Sequence, residues 1–258
     1  MNGPRHRTAR DLCGASPFWK RSRFGWLALS LGLLAAGFLV SFPIDFSAYR
    51  ALQRIDQPFL QQAAQQFSFW GDYFPGSILV SILFAVGSQV VRSRRARAAA
   101  LASFLAASVA GLTLDAGRFS FGRPRPYADA AAATLRLGKK PEPKVSFKRT
   151  RPDNDLPDGF YGPLGVHMFQ GFPSGHAASS SASAAAIVRL VPQLGIPLGL
   201  LALGVCWSRM ELRQHYLSDV AVGAIWGSLW GFFFGTLLFR RLKLHSGVVR
   251  DSQSGKEV

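Results

Sequence analysis

The chain has 258 residues, enough for one sizeable domain or two small ones; 48% are hydrophobic, 12% aromatic and only 17% charged. Soluble domains usually carry about 25% charged residues, and here the apolar residues fall in long blocks, which argues against a soluble globular protein and for a membrane protein. Much of the net charge of +16 sits in short segments beside apolar runs, where it reports topology and not nucleic-acid binding; no zinc spacing, Walker loop or RNA-binding aromatic motif accompanies it.

Residues 1–23 set Arg5, Arg7, Arg10, Lys20, Arg21 and Arg23 against one acid, Asp11, and read as a basic cytoplasmic tail. Phe24 to Phe42 is an apolar run without a charge, long enough to cross a bilayer at about 1.5 Å per residue. It is long for the apolar core of a signal peptide, and no clear small-residue cleavage site follows, so it reads as an uncleaved first span. Pro43 to Asp72 is mixed and amphipathic, with Asp45, Asp56 and Asp72 balancing Arg50 and Arg54. A second span covers Tyr73 to Val91, and Arg92, Arg94, Arg95 and Arg97 form a tight basic loop after it. The third span, Ala98 to Phe119, carries Asp115 three residues before Arg118. An ion pair between these two is the simplest reading, although an ionisable residue at that depth is also a functional suspect.

Ser120 to Phe172 is long and polar, rich in Pro and Gly, with Lys139, Lys140, Lys144, Lys148, Arg149 and Arg151 in its later part. Loops of this length are often functional, and this one is expected to cover the membrane surface or a site. Ala177 to Val191 is a fourth span, weak by hydropathy, whose Ala and Ser residues suit close packing among other helices. Gly195 to Trp207 is a short fifth span and Leu217 to Phe239 a sixth; Arg240, Arg241 and Lys243 then open a polar tail. Cys13 and Cys206 fall in different environments, so no disulfide is expected. The strongly basic short segments all lie on one side of this layout, which the positive-inside rule makes cytoplasmic. The expected fold is therefore all-α: a six-transmembrane helical bundle over residues 24–239, flanked by cytoplasmic tails 1–23 and 240–258, with loop 120–172 facing outward between helices 3 and 4.

Three clusters fall on the outward side. The first is Arg118-x6-Arg125-Pro126, whose guanidinium groups stay charged and bind phosphate oxygens in pairs. Arg123, between them, reads better as a surface contact to headgroups. The second is Phe172-Pro173-Ser174-Gly175-His176: Ser174 can cap the following helix, Gly175 lets backbone approach a ligand, and free amides at a helix N-terminus suit an anion. The third runs from Ser208 and Arg209 to His215 and Asp219. If the chain is helical from Gln214, His215 and Asp219 share a face and can touch. A carboxylate there would fix the imidazole tautomer and leave the other nitrogen free to attack. Arginines, helix amides and two histidines are what phosphoryl transfer through a phosphohistidine requires. No carboxylate cluster suggests a metal site, and no cofactor is expected.

These clusters resemble the three signature motifs of the type 2 phosphatidic acid phosphatase superfamily of integral-membrane lipid phosphatases: Lys-x6-Arg-Pro, Pro-Ser-Gly-His, and Ser-Arg-x5-His-x3-Asp. The second and third are present at full spacing, while Arg118 stands where the first has lysine. The resemblance implies His215 as nucleophile, Asp219 as its orienting partner and His176 as proton donor to the leaving group. It implies Arg118, Arg125, Arg209, Ser174 and the Gly175 amide as phosphate ligands. The implied activity is metal-independent hydrolysis of a lipid phosphate monoester or pyrophosphate at the outer face of the cytoplasmic membrane, with the membrane lipid and the bilayer as partners and no nucleic acid. Transfer of the phosphoryl group to another acceptor, non-catalytic lipid-phosphate binding or transport, and a vanadate-dependent haloperoxidase are the alternatives; the apolar spans weigh against the last.

Overall fold

The computed structural model describes residues 17–55 and 57–254; Cys13, Asp56, most of the basic N-terminal tail and the last four residues lie outside them. Nine α-helices are found among the described residues: α1 Pro17–Ser41, α2 Asp45–Gln53, α3 Pro58–Gly71, α4 Ile78–Val90, α5 Arg94–Phe121, α6 Ala130–Leu137, α7 Gly175–Leu190, α8 Pro192–Glu211 and α9 Leu217–Ser254. A two-residue antiparallel ladder, β1 Val145–Ser146 with β2 Gly159–Phe160, is a small departure from the all-α expectation.

By length and composition, four stretches can cross a membrane: Gly25–Gln53, Tyr73–Val90, Arg94–Phe121 and Leu217–Leu242. They correspond to the expected first, second, third and sixth spans. The expected fourth and fifth form as helices α7 and α8 but do not reach that standard. The reason is physical: α7 has 16 residues of mostly Ala and Ser, and α8 mixes its apolar run with Pro, Gln, Arg and Glu. Large apolar side chains on the outer helices face away from the protein, among them Leu39, Val90, Leu112, Leu203 and Phe233. A bilayer is the environment that suits such a surface.

The centre of the bundle is α7. Twelve of its sixteen residues are buried, and it packs against α5, α8 and α9. The closest of these contacts is built on glycine. Gly223, Gly227 and Gly231 stand four apart on α9, where a Cβ atom would come within 2.4 Å of the Ser174 carbonyl oxygen, 2.0 Å of that of Ala178 and 2.5 Å of that of Ala182. Such a row brings two helix backbones into direct contact, the packing device of membrane helices. It also docks the N-terminus of α7 beside that of α9, where the Ser174 amide donates to the Asp219 carbonyl at 2.9 Å.

The long polar segment is a folded layer and not an open loop. α5 ends at Gly122, whose φ of +62° terminates the helix in the left-handed region. The chain then returns to this point: the Tyr161 amide donates to the Gly122 carbonyl and the Gly162 amide to that of Phe121, both at 3.1 Å. Asp129 caps α6 by accepting from the Ala132 amide at 2.7 Å. Ala128, Ala133, Leu156, Tyr161 and Phe169 form a small core of its own. Arg149 pins the layer to the end of α1, with its guanidinium 3.8 Å from the Phe42 ring centre, donating to the Phe42 carbonyl at 2.7 Å and paired with Asp158.

Candidate active site

His215 lies in the turn between α8 and α9, since the helix opens at Leu217 and not at Gln214. Its imidazole is 2% exposed. Nδ1 is 2.6 Å from the Gly171 carbonyl oxygen and 3.8 Å from Asp219 Oδ2. The second distance is too long for a hydrogen bond, which corrects the expectation that Asp219 is the direct partner of His215. A carbonyl oxygen only accepts, so Nδ1 carries the proton and Nε2 keeps its lone pair. Burial, and then the charges of Arg125 and Arg209, hold the His215 imidazolium well below the usual range, so the ring is neutral at pH 7.

Asp219 is occupied elsewhere. Its Oδ2 accepts from the Tyr216 amide at 2.8 Å, and its Oδ1 accepts from Arg123 Nη1 at 2.5 Å. Arg123 also reaches Asp45 Oδ2 at 2.8 Å and Ser218 Oγ at 2.7 Å. All four of these side chains are buried. This overturns the reading of Arg123 as a surface contact to headgroups, and that of Asp45 as one charge among several in an amphipathic loop. Burial alone would lower the Arg123 pKa, but Asp219 and Asp45 raise it and keep the guanidinium charged.

The remaining residues converge from four elements. Arg118 ends α5 paired with Asp115, and its guanidinium lies over Gly175, 3.2 Å from where a Cβ would stand. A side chain at 175 would meet that guanidinium, so glycine is what lets the arginine reach the start of α7. Arg125 Nη1 donates to Gln214 Oε1 at 2.7 Å, and its Nε to the His167 carbonyl at 3.2 Å. Burial, together with the charge of Arg118, brings Arg125 down to about 10. Arg209 Nη1 donates to Ser68 Oγ at 2.5 Å. Arg118, Arg125 and Arg209 all act electrostatically on His176 and on one another, and His176 in turn on His215.

Ser174 stands at the N-cap position of α7, but its hydroxyl makes no capping bond, which corrects the expected cap. Its Oγ is buried without a protein partner, as are Nε of Arg118 and Nε of Arg209. Buried polar atoms are normally satisfied. The first-turn amides of α7, from Gly175, have no intrahelical acceptor either. Three guanidiniums, unpaired donors and a helix N-terminus together make a site complementary to an anion. Among the described residues no group of three His, Cys, Asp or Glu side chains is arranged to hold a metal ion.

Sequence reasoning missed Gly171, whose carbonyl orients His215 and whose amide donates to the Arg123 carbonyl at 2.8 Å. It also missed Gln214, which holds Arg125, and Arg151, which donates to the Arg125 carbonyl at 2.5 Å and to the Tyr216 hydroxyl at 3.2 Å. Only the nearness of Gly171 and Gln214 to the motifs could have pointed to them.

The chain resembles known proteins in sequence and in fold. Residues 97–243, more than half of the chain, match the model of the PAP2 superfamily. A lipid A 1-phosphatase of Rhizobium johnstonii is 31% identical over 104 residues, which are 39% of this chain and 42% of that protein; the match therefore spans less than half of that relative's length. Among solved structures, the first transmembrane PAP2-type phosphatidylglycerolphosphate phosphatase from Bacillus subtilis superposes with a TM-score of 0.49 at 18% identity, covering 84% of this chain and 96% of that one. LpxE from Aquifex aeolicus superposes with a TM-score of 0.46 at 19% identity, covering 76% and 95%. With its second and third signature motifs intact and its first carrying Arg118 for lysine, the chain belongs to the PAP2 superfamily.

Proposed function

We propose that this protein is an integral-membrane lipid phosphatase that removes a phosphate monoester or pyrophosphate group at the outer face of the cytoplasmic membrane through a phosphohistidine. The observation that carries the reading is His215: a neutral, buried imidazole with its proton on Nδ1, in electrostatic reach of Arg125 and Arg209, with Arg118 joining them around His176. The Nε2 lone pair forms a bond to phosphorus while the bond to the lipid oxygen breaks. Until a phosphate binds, burial and the three guanidiniums hold His176 down at about 3, so its acid proton comes in with the substrate. The phosphate anion offsets the arginines and passes its proton to the imidazole, which gives it to the leaving oxygen and then takes a proton from the water that cleaves the phosphorus–nitrogen bond. Arg118, Arg125 and Arg209, with Ser174 and the Gly175 amide, hold the equatorial oxygens as charge builds on them. Asp219 orients the nucleophile's turn through the Tyr216 amide. The membrane layout proposed with it is six spans over residues 24–239, both termini cytoplasmic, with loop 120–172 covering the site on the outer side. The name of the Rhizobium relative makes lipid A one substrate to test, beside phosphatidic acid, phosphatidylglycerophosphate and an isoprenoid diphosphate.

Phosphate release from these four lipids by purified protein tests the reading. His215→Ala is expected to abolish release from all of them while the protein still inserts, and near-normal turnover would sink the mechanism. Vanadate should inhibit as a phosphate mimic, and activity should survive chelation of divalent cations.

A further inference from the structure

The outer layer brings two polar side chains to the arginine cluster that the mechanism above does not use. The Tyr127 hydroxyl lies 3.1 Å from His167 Nδ1. Backbone and side chain of Arg125 fix the place of this pair. His167 opens a short 3-10 turn, His167–Phe169, and its carbonyl accepts from Arg125 Nε at 3.2 Å, while the Arg125 amide donates to the Met168 carbonyl at 2.8 Å. Tyr127 follows Arg125 by two residues. The His167 ring lies in electrostatic reach of Arg125, Arg118 and Arg209, the same three that act on His176, and Tyr127 lies in reach of Arg125. Exposure grades outward through the set: His215 and Arg125 are buried, Arg118 and His176 half-buried, Tyr127 and His167 exposed. The pair therefore stands on the solvent side of the cluster. Partial burial and the three arginines hold the His167 imidazole below its usual range, so the ring is neutral at pH 7. A phenol is the better donor and an imidazole nitrogen the better acceptor, so Tyr127 donates to Nδ1 and the ring carries its own proton on Nε2.

Resting on the phosphohistidine reading above, we propose that His167 and Tyr127 form a second anion subsite, which takes the phosphate that stays on the lipid when the substrate is a diphosphate. The terminal phosphate lies among Arg118, Arg125 and Arg209. His215 Nε2 forms its bond to that phosphorus and the bond to the bridging oxygen breaks. The electron pair stays on the bridging oxygen, which takes the His176 proton and leaves as part of the lipid monophosphate. His167 Nε2–H donates to a non-bridging oxygen of this departing phosphate, a hydrogen bond strengthened by the anion's charge. In a monoester the bridging oxygen carries carbon in place of phosphorus, so the pair meets no phosphate oxygen there. A sugar hydroxyl also accepts hydrogen bonds, but three arginines acting on the ring make the local field positive and favour an anion over a neutral group.

The test gives full-length protein in detergent two substrates that share a tail and differ only by the second phosphate, farnesyl diphosphate and farnesyl phosphate. Initial phosphate release yields kcat/KM for each, and the ratio of diphosphate to monophosphate is the readout. His167→Ala is expected to lower that ratio at least about 10-fold, the worth of one hydrogen bond to a charged group. His167→Gln keeps an N–H donor and should restore part of it, and Tyr127→Phe should lower the ratio less than His167→Ala does. A loss that acts through Arg125, or through a smaller folded fraction, falls on both substrates and cancels. Inhibition gives a second readout: inorganic pyrophosphate should inhibit the wild type more tightly than orthophosphate, and His167→Ala should remove most of that difference. An unchanged ratio in His167→Ala, or a wild type that hydrolyses only the monophosphate, overturns the proposal and leaves the phosphatase reading standing. His215→Ala is run alongside. If it still releases phosphate, or if the wild type releases none from these substrates or from the four lipids above, the underlying reading fails.

Discussion

The Gly171 carbonyl sets the chemistry of His215, because it fixes which nitrogen bears the proton. A side chain at 171 would come 2.8 Å from the Arg123 carbonyl oxygen, so Gly171→Ala must move the one acceptor that aims the ring. A displacement near 1 Å at a reacting group costs on the order of 100-fold in rate. Gly171→Ala is therefore expected to lose activity on that scale with a small change in melting, measured as kcat beside a thermal melt. The neutral state of His215 also has a pH signature. Unfolded, the residue takes up a proton near pH 6.5, whereas in the folded protein burial and the arginines resist it down to lower pH. The unfolded state then binds more protons below about pH 6.5, so this contribution to stability is intact above that pH and is lost as pH falls through and below it. Melting between pH 7 and 5 should drop further for the wild type than for His215→Gln. An equal drop in both would show that the ring is not held neutral. At this scale the motif residues were legible because phosphate chemistry restricts residue type. The true partner of His215 was not, since a backbone carbonyl leaves no mark in a sequence.

The packing of α7 on α9 is where the site acquires its geometry. The close approach of the two helices is set by the α9 glycine row, and the Ser174-to-Asp219 backbone hydrogen bond lies at its outer end. Gly227→Ala would place a methyl 2.0 Å from the Ala178 carbonyl oxygen, and overpacking of that kind costs about 1–3 kcal/mol. We expect a lower melting temperature in detergent and reduced turnover, because spreading the helices separates Ser174 and His176 from His215. Unchanged melting would mean that the helices have room to spare. The small residues of α7 already signalled a buried helix, since Ala and Ser cannot bury much apolar surface against lipid but can let neighbours approach. The partner was not readable, because Gly on α9 is equally common in any membrane helix. The internal order of the 120–172 layer was not readable for a related reason. Its prolines, glycines and lysines look like open loop, while the residues that organise it, Arg149 on Phe42 and Asp158 and Arg151 on Tyr216, are long-range pairs that no local pattern contains.

Across the whole molecule, the buried ion network and the membrane layout constrain each other. Asp45, Arg123 and Asp219 come from three separate crossings of the chain and meet in one buried cluster. In a membrane layout the ends of α1 and α5 and the start of α9 then lie on one side, which requires an even number of crossings between the end of α1 and the end of α5, and again between the end of α5 and the start of α9. Two crossings separate the end of α1 from the end of α5, through α4 and α5. The return from the end of α5 to the start of α9 then requires either no crossing or two. Since α7 packs along α9 within the bundle, two is the consistent count, by α7 and α8, even though neither is long and apolar enough to be recognised alone. The pairing is compatible with the proposed six-span layout, in which α7 and α8 cross although hydropathy does not pick them out. It is testable in a Cys13→Ser background, with Cys206 buried. A cysteine at exposed Tyr127, in the outer layer, should react with a membrane-impermeant maleimide in intact cells. One at exposed Arg95, in the first turn of α5, should react only after the membrane is opened. Labelling of both positions in intact cells, or of Arg95→Cys alone, would require the orientation to be redrawn and would move the site to the other face.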